Sequence, residues 1–107
     1  MSKYPIFLEM SDRKALIIGA GAVALNKAKT LLHAGARIVM VADKAGELVT
    51  LFCQDNHIEL IKSKYSKEYL SDSTLVIAAA NNKKVNRQVY NDCQEAGIFC
   101  NVVDEPE

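Results

Sequence analysis

The sequence predicts an α/β fold: a mostly parallel, five-stranded, doubly wound sheet with helices on both faces. Three observations predict it. Short β-branched apolar runs alternate along the chain with stretches of helical periodicity. The first of these runs is uninterrupted, as expected of a strand covered on both faces. Glycines punctuate the passages between strand and helix.

Each element follows in turn. Residues 15–18 form the fully apolar first strand. Ala24, Ala28 and Leu31, flanked by Leu25 and Leu32, fall at the i, i+4, i+7 spacing of a helical stripe, and Gly35 stops it. Residues 38–41 are a second strand, after which Leu48, Leu51 and Phe52 give a short helical face closing near Asn56. Residues 58–61 make the third strand, a brief helical turn covers 67–70, and residues 75–78 make the fourth. Val85, Val89, Cys93 and Ala96 recur with helical spacing, Gly97 ends them, and a fifth strand covers 98–103. Strands joined by such crossovers imply the order 3-2-1-4-5.

Composition narrows the function. At 107 residues the chain is expected to be one domain, 1–107, with a real core but little room for a cofactor, a substrate and a dimer interface together. Thirteen basic side chains balance thirteen acidic ones, so there is no electrostatic footprint for nucleic acid. No apolar stretch approaches the ~20 residues of a membrane span, and the N-terminus lacks a secretory apolar region, so a cytoplasmic protein is expected. Cys53, Cys93 and Cys100 are odd in number and show no C-x-x-C spacing, which points to reduced core residues rather than disulfides or zinc. No repeat or linker divides the chain, and proline occurs only at Pro5 and Pro106.

Between the first strand and the first helix stands Gly19-Ala20-Gly21-Ala22-Val23-Ala24, a G-x-G-x-x-A turn in the place where that pattern has a mechanism. Gly19 allows the sharp turn. Gly21, lacking a Cβ, lets backbone N–H groups approach a pyrophosphate at the positive end of the helix. Ala24 still permits close packing of helix on strand. The arrangement predicts a Rossmann-like dinucleotide-binding domain. Asp43 follows 24 residues after Gly19, just past the second strand. A carboxylate there accepts hydrogen bonds from ribose hydroxyls and repels a 2′-phosphate, favouring NAD over NADP. An Asp at a strand end also serves as a turn former or helix cap, and both readings stand.

Other polar residues are plainer. His33, at the end of the first helix, and His57, in a polar turn, have no partners at metal-binding spacing and are assigned no chemistry. Lys83, Lys84 and Arg87 start the last helix beside the glycine turn. They suit an acidic ligand, although a solvated helix face is the commoner use of such a cluster. Asp104 ends the fifth strand at the rim where ligands bind in open α/β sheets. It suits a general acid/base and equally a turn cap before Pro106.

Three separated blocks, the lead-in and turn "YPIFLEMSDRKALIIGAGAVALNKAKTLLHAGARIVMVAD", "LVIAAANNKKVNRQV" and "GIFCNVVDEPE", resemble the precorrin-2 dehydrogenases and the N-terminal dehydrogenase module of siroheme synthases. The likeness runs from Pro5 to Pro106. It implies NAD-dependent oxidation of precorrin-2 to sirohydrochlorin, with ferrous iron inserted at the same site in some members. It carries cofactor contacts onto Ala22, Val23, Asp43 and Lys44, and the acid implicated in both activities onto Asp104. The carboxylate-rich substrate gives Lys83, Lys84 and Arg87 a use. Two departures stand out. Where the family shows Ala-Ala-Thr-Asp-Asp, this chain has Ala79-Ala80-Asn81-Asn82 after Ala78, with one hydroxyl and two charges removed. The family also continues beyond the Asn-Val-Val-Asp block with a strand and a helical region that build the homodimer and much of the substrate cleft. The sequence therefore resembles the cofactor-binding half of the enzyme. A non-catalytic NAD-binding module or regulatory subunit is the alternative.

Overall fold

A computed structural model describes residues 3–103 of the 107-residue chain. The elements run β1 (Lys14–Ile18), α1 (Ala22–His33), β2 (Arg37–Ala42), α2 (Glu47–Asp55), β3 (Glu59–Lys62), a 3-10 turn (Lys67–Leu70), β4 (Ser73–Ala78), α3 (Lys83–Ala96) and β5 (Phe99–Val102). All four strand pairings are parallel and the order is β3-β2-β1-β4-β5, as the alternation of strand and helix predicts.

The uninterrupted apolar run in β1 has a direct cause. Successive side chains of a strand point to opposite faces. Ala15 and Ile17 join Ile38, Met40 and Ile77 on the face covered by α1 and α2, through Ala24, Ala28, Leu31, Val49 and Cys53. Leu16 and Ile18 join Val39, Val41, Val76 and Ala78 on the opposite face, under Val89 and Cys93 of α3 and under Leu70. Burying a Leu or Ile side chain this completely contributes roughly 1.5–3 kcal/mol. Ala24 and Ala28, both fully buried, let the backbone of α1 lie close on the sheet.

Element ends shift slightly from the expected ones. The third strand starts at Glu59 because the Ile58 N–H bonds the Cys53 carbonyl at 2.9 Å and closes α2 instead of joining the ladder. The fifth ends at Val102, and the fourth extends back to Ser73. Gly35 and Gly97 take positive φ (80° and 71°) after α1 and α3, as their positions predict. Cys53 and Cys93 are buried; Cys100 is only half-buried, a small correction to its reading as a core thiol. His33 and His57 are exposed.

Candidate functional site

The chain leaves β1 and β4, the two central strands, at the same edge of the sheet but feeds helices on opposite faces. Such a switch in winding opens a crevice at the carboxyl ends of the strands. Backbone hydrogen bonds extend the ladder past the strand ends and pin the crevice floor: Gly19 N–H to the Val41 carbonyl at 2.8 Å, and Ala79 N–H to the Ile18 carbonyl at 2.9 Å.

The two glycines of the turn serve different ends. Gly19 has φ 128°, and a Cβ there would land on the Ala79 carbonyl, 2.7 Å from its carbon. The fold itself requires glycine at this position, for close approach to the β4–α3 loop as well as for the turn. Gly21 sits in ordinary extended backbone (φ −84°, ψ −169°), and a Cβ there would meet nothing within 4 Å. Packing therefore does not demand glycine at 21; its bareness opens onto the crevice.

Gly21 is also the N-cap of α1, which has neither a side-chain cap nor an acidic residue in its first turn. The first helical bond runs from the Leu25 N–H to the Gly21 carbonyl at 3.0 Å, so the N–H groups of Ala22, Val23 and Ala24 have no partner within the helix. Aligned donors at the positive end of a helix dipole suit an anion.

A cavity of about 870 Å³ spans the crevice. It is lined by Gly19, Gly21, Ala22 and Val23 from the turn, Asp43 and Lys44 after β2, residues 63–65 after β3, 79–82 after β4, Lys84, Val85 and Gln88 of α3, and Val103. All six cofactor positions expected from the sequence thus face one space, with the Asp43 and Lys44 side chains exposed to it. Asp104 lies outside the described residues. Of the three basic residues expected here, Lys84 alone lines the cavity. The reason is helix phase: Lys84, Val85 and Gln88 share one arc of α3, whereas Lys83 and Arg87 fall to one side of it.

Sequence reasoning missed a polar framework behind the cavity. The Asn82 side chain caps α3, accepting from the N–H groups of Lys84 at 2.8 Å and Val85 at 3.4 Å. Asn86, buried, clamps the loop residue Ala80, accepting from its N–H at 2.9 Å and donating to its carbonyl at 3.0 Å. Asp92, also buried, accepts from the Tyr65 hydroxyl at 2.7 Å and from Gln88 Nε2 at 2.9 Å. Burial first, and then the bond to Asp92, raise the Tyr65 hydroxyl above its ordinary pKa, so it remains a donor. The available signal was Asn86 and Asp92 lying three residues either side of Val89, polar positions on an apolar stripe. Among the described residues no three His, Cys, Asp or Glu side chains group as metal ligands, and no helix is long and apolar enough to cross a membrane.

Fold and cavity together define a dinucleotide-binding α/β domain of the Rossmann type. Residues 6–107 match the family model described as "Putative NAD(P)-binding", and the chain belongs to that family. It is 39% identical over 106 residues, 99% of its length, to a siroheme synthase of Psychrobacter cryohalolentis, covering 20% of that protein. It is 39% identical over its whole length to siroheme synthase 2 of Pectobacterium atrosepticum, covering 23%. The chain thus spans about a fifth of the length of these relatives. Among solved structures, "SirC, precorrin-2 dehydrogenase" shares the fold with a TM-score of 0.81 over 98% of this chain and 51% of that one, at 23% identity.

Proposed function

We propose that the chain holds NAD at the β1–α1 turn and forms the cofactor domain of an enzyme that oxidises precorrin-2 to sirohydrochlorin in siroheme synthesis. The observation that carries this reading is the convergence of an uncapped helix N-terminus, a bare Gly21 and the exposed Asp43 on one cavity. The residues present fit the dinucleotide: donors for a pyrophosphate at one place, a carboxylate for ribose hydroxyls at another, and no Cβ on Gly21 at the turn. Kinship with siroheme synthases supports the substrate class.

In this reading the N–H groups of Ala22 and Val23, which line the cavity and have no partner within the helix, cradle the pyrophosphate, and Gly19 holds the turn against Ala79. Asp43 accepts from the adenosine ribose hydroxyls and disfavours a 2′-phosphate there, while Lys44 beside it lines the same wall. When bound, NAD supplies the hydride acceptor. Asp104 takes the proton that leaves precorrin-2 with the hydride and, where iron insertion follows, receives pyrrole protons. Lys84 adds positive charge to the cavity wall. The relatives' additional length would supply the homodimer and the rest of the substrate cleft, and a cytoplasmic setting suits the three free thiols.

Calorimetry with NAD and NADP tests the cofactor half. NAD is expected to bind at least about tenfold tighter, and Asp43→Ala to bring the two within about twofold. No binding of NAD, or tighter binding of NADP, would overturn it. Anaerobic incubation with precorrin-2 and NAD, followed by NADH absorbance, tests the chemistry. Asp104→Ala in the form that turns over is expected to lower the rate by about a hundredfold or more. NAD binding without NADH formation would favour the non-catalytic module.

A further inference from the structure

The Tyr65–Asp92–Gln88 cluster gives the cavity a wall with a fixed hydrogen-bonding sense. Asp92 is 6% exposed and engages both carboxylate oxygens, one with the Tyr65 hydroxyl (2.7 Å) and one with Gln88 Nε2 (2.9 Å). Tyr65 and Gln88 themselves line the cavity. A carboxylate only accepts hydrogen bonds, so the Gln88 amide must turn its NH₂ toward Asp92, and the Tyr65 hydroxyl on the other oxygen holds the acid against rotation. Gln88 Oε1 is left over. Among the described residues no donor meets it, and on an exposed side chain of the cavity wall it is a preset acceptor.

The ligand's own connectivity says what arrives there. With its pyrophosphate on the α1 N-terminus and its ribose on Asp43, a dinucleotide has only its base left to place on that side. Next to Asp43 the cavity is lined by residues 63–65, which follow β3, the neighbour of β2, and Tyr65 among them is joined through Asp92 to Gln88 of α3. We propose that Gln88, oriented by Asp92 and Tyr65, is the base-reading residue of this cavity, accepting a hydrogen bond from the exocyclic amino group of a 6-aminopurine. Tyr65 and Val85 supply the apolar surfaces beside it. A 6-oxopurine presents a carbonyl oxygen in place of that amino group, so two acceptors would face each other with neither satisfied. Gln88 is a contact residue in this assignment and Asp92 a positioning residue.

The inference rests on the cofactor reading above, and nicotinamide hypoxanthine dinucleotide separates the two, because it differs from NAD only in carrying the 6-oxo base. Titration calorimetry of the protein with both compounds is expected to show NAD binding about tenfold tighter. Gln88→Met, at an exposed position where folding is spared, is expected to bring that ratio to about one by weakening NAD alone. Asp92→Asn, which can donate to the amide and release it to rotate, is expected to lower the same ratio, with thermal unfolding monitored alongside. Equal binding of the two dinucleotides by the unaltered protein, or an unchanged preference in Gln88→Met, would overturn the base-reading role while leaving the cofactor site standing. Binding of neither compound would overturn the cofactor reading and this inference with it.

Discussion

Helices α1 and α3 start at the same edge of the sheet, on either side of the boundary between β1 and β4, but their first turns are finished differently. At α3 the Asn82 side chain accepts two first-turn N–H groups, and the preceding loop is locked by a pair of hydrogen bonds between Asn86 and Ala80. At α1 the N-cap is Gly21, which has no side chain to offer, and no acid stands in the first turn. A side-chain cap stabilises a helix by about 1 kcal/mol over alanine but by only a few tenths over glycine, so the bare start of α1 costs little stability and leaves its first-turn donors open. The difference teaches where a ligand belongs. Donors already bonded by the protein are closed to an anion, whereas donors the protein leaves unpaired are available to one.

The sharpest way to break this contrast is to finish α1 as α3 is finished. Gly21→Asp places an N-cap acceptor where nothing lies within 4 Å of the new Cβ. The change is expected to leave folding stability within a few tenths of a kcal/mol of the parent, since Asp and Gly differ little at an N-cap. NAD affinity is expected to fall by about a hundredfold or more, because a carboxylate now occupies the donors and repels the pyrophosphate. Thermal unfolding and calorimetry check the two halves. An unchanged NAD affinity would remove α1 from the site.

The next effect in size runs through stability. Asn86→Leu keeps the approximate volume but leaves the Ala80 N–H and carbonyl without their partner beside the cavity. Each orphaned backbone group costs about 1–3 kcal/mol when buried, less where water reaches it, so a loss of about 2–3 kcal/mol is expected in urea unfolding. Gly19 depends on the same loop. The carbonyl that a Cβ at 19 would strike belongs to Ala79, the neighbour of the clamped residue. Loosening Ala80 is therefore expected to weaken NAD binding a few-fold as well, a loss that follows from lost stability, whereas Gly21→Asp weakens binding without it.

The two helix starts were unequally legible in the sequence. The open one was plain, because a G-x-G-x-x-A turn between an apolar strand and an Ala-rich helix is a local pattern whose meaning depends on adjacent residues alone. The strand order was legible for the same reason, since crossover handedness turns local alternation into topology. Asp43 and Lys44 could be placed because β2 ends within one residue of where its apolar run ends. The closed start was harder. Asn82 directly precedes a helix and is of a capping type, but Asn86 and Asp92 sit on the buried face, where a polar residue has meaning only through a partner from elsewhere. For Asp92 that partner includes Tyr65, 27 positions back in the chain. The three basic residues failed as a group because composition cannot supply helix phase: Lys84 turns to the cavity, and Lys83 and Arg87 do not.

The smallest of these effects is the most discriminating. Asn82→Ala removes the α3 cap and should destabilise the protein by about 1 kcal/mol, a fall of roughly 4–8 °C in Tm for a chain of this size. Asn82→Asp restores an acceptor and should recover the loss, which also explains how an acid can stand at this position in the family that the sequence resembles without disturbing the loop. Asn82 lines the cavity, so proximity alone would make it as important to the cofactor as Gly21. The capping geometry argues otherwise: its oxygen is engaged by Lys84 and Val85 and is turned toward the helix. Asn82→Ala is accordingly expected to change NAD affinity by no more than about twofold while Tm falls. If instead Asn82→Ala weakens NAD as severely as Gly21→Asp, the α3 start belongs to the anion site, and the division between a ligand-facing and a self-satisfied helix end fails.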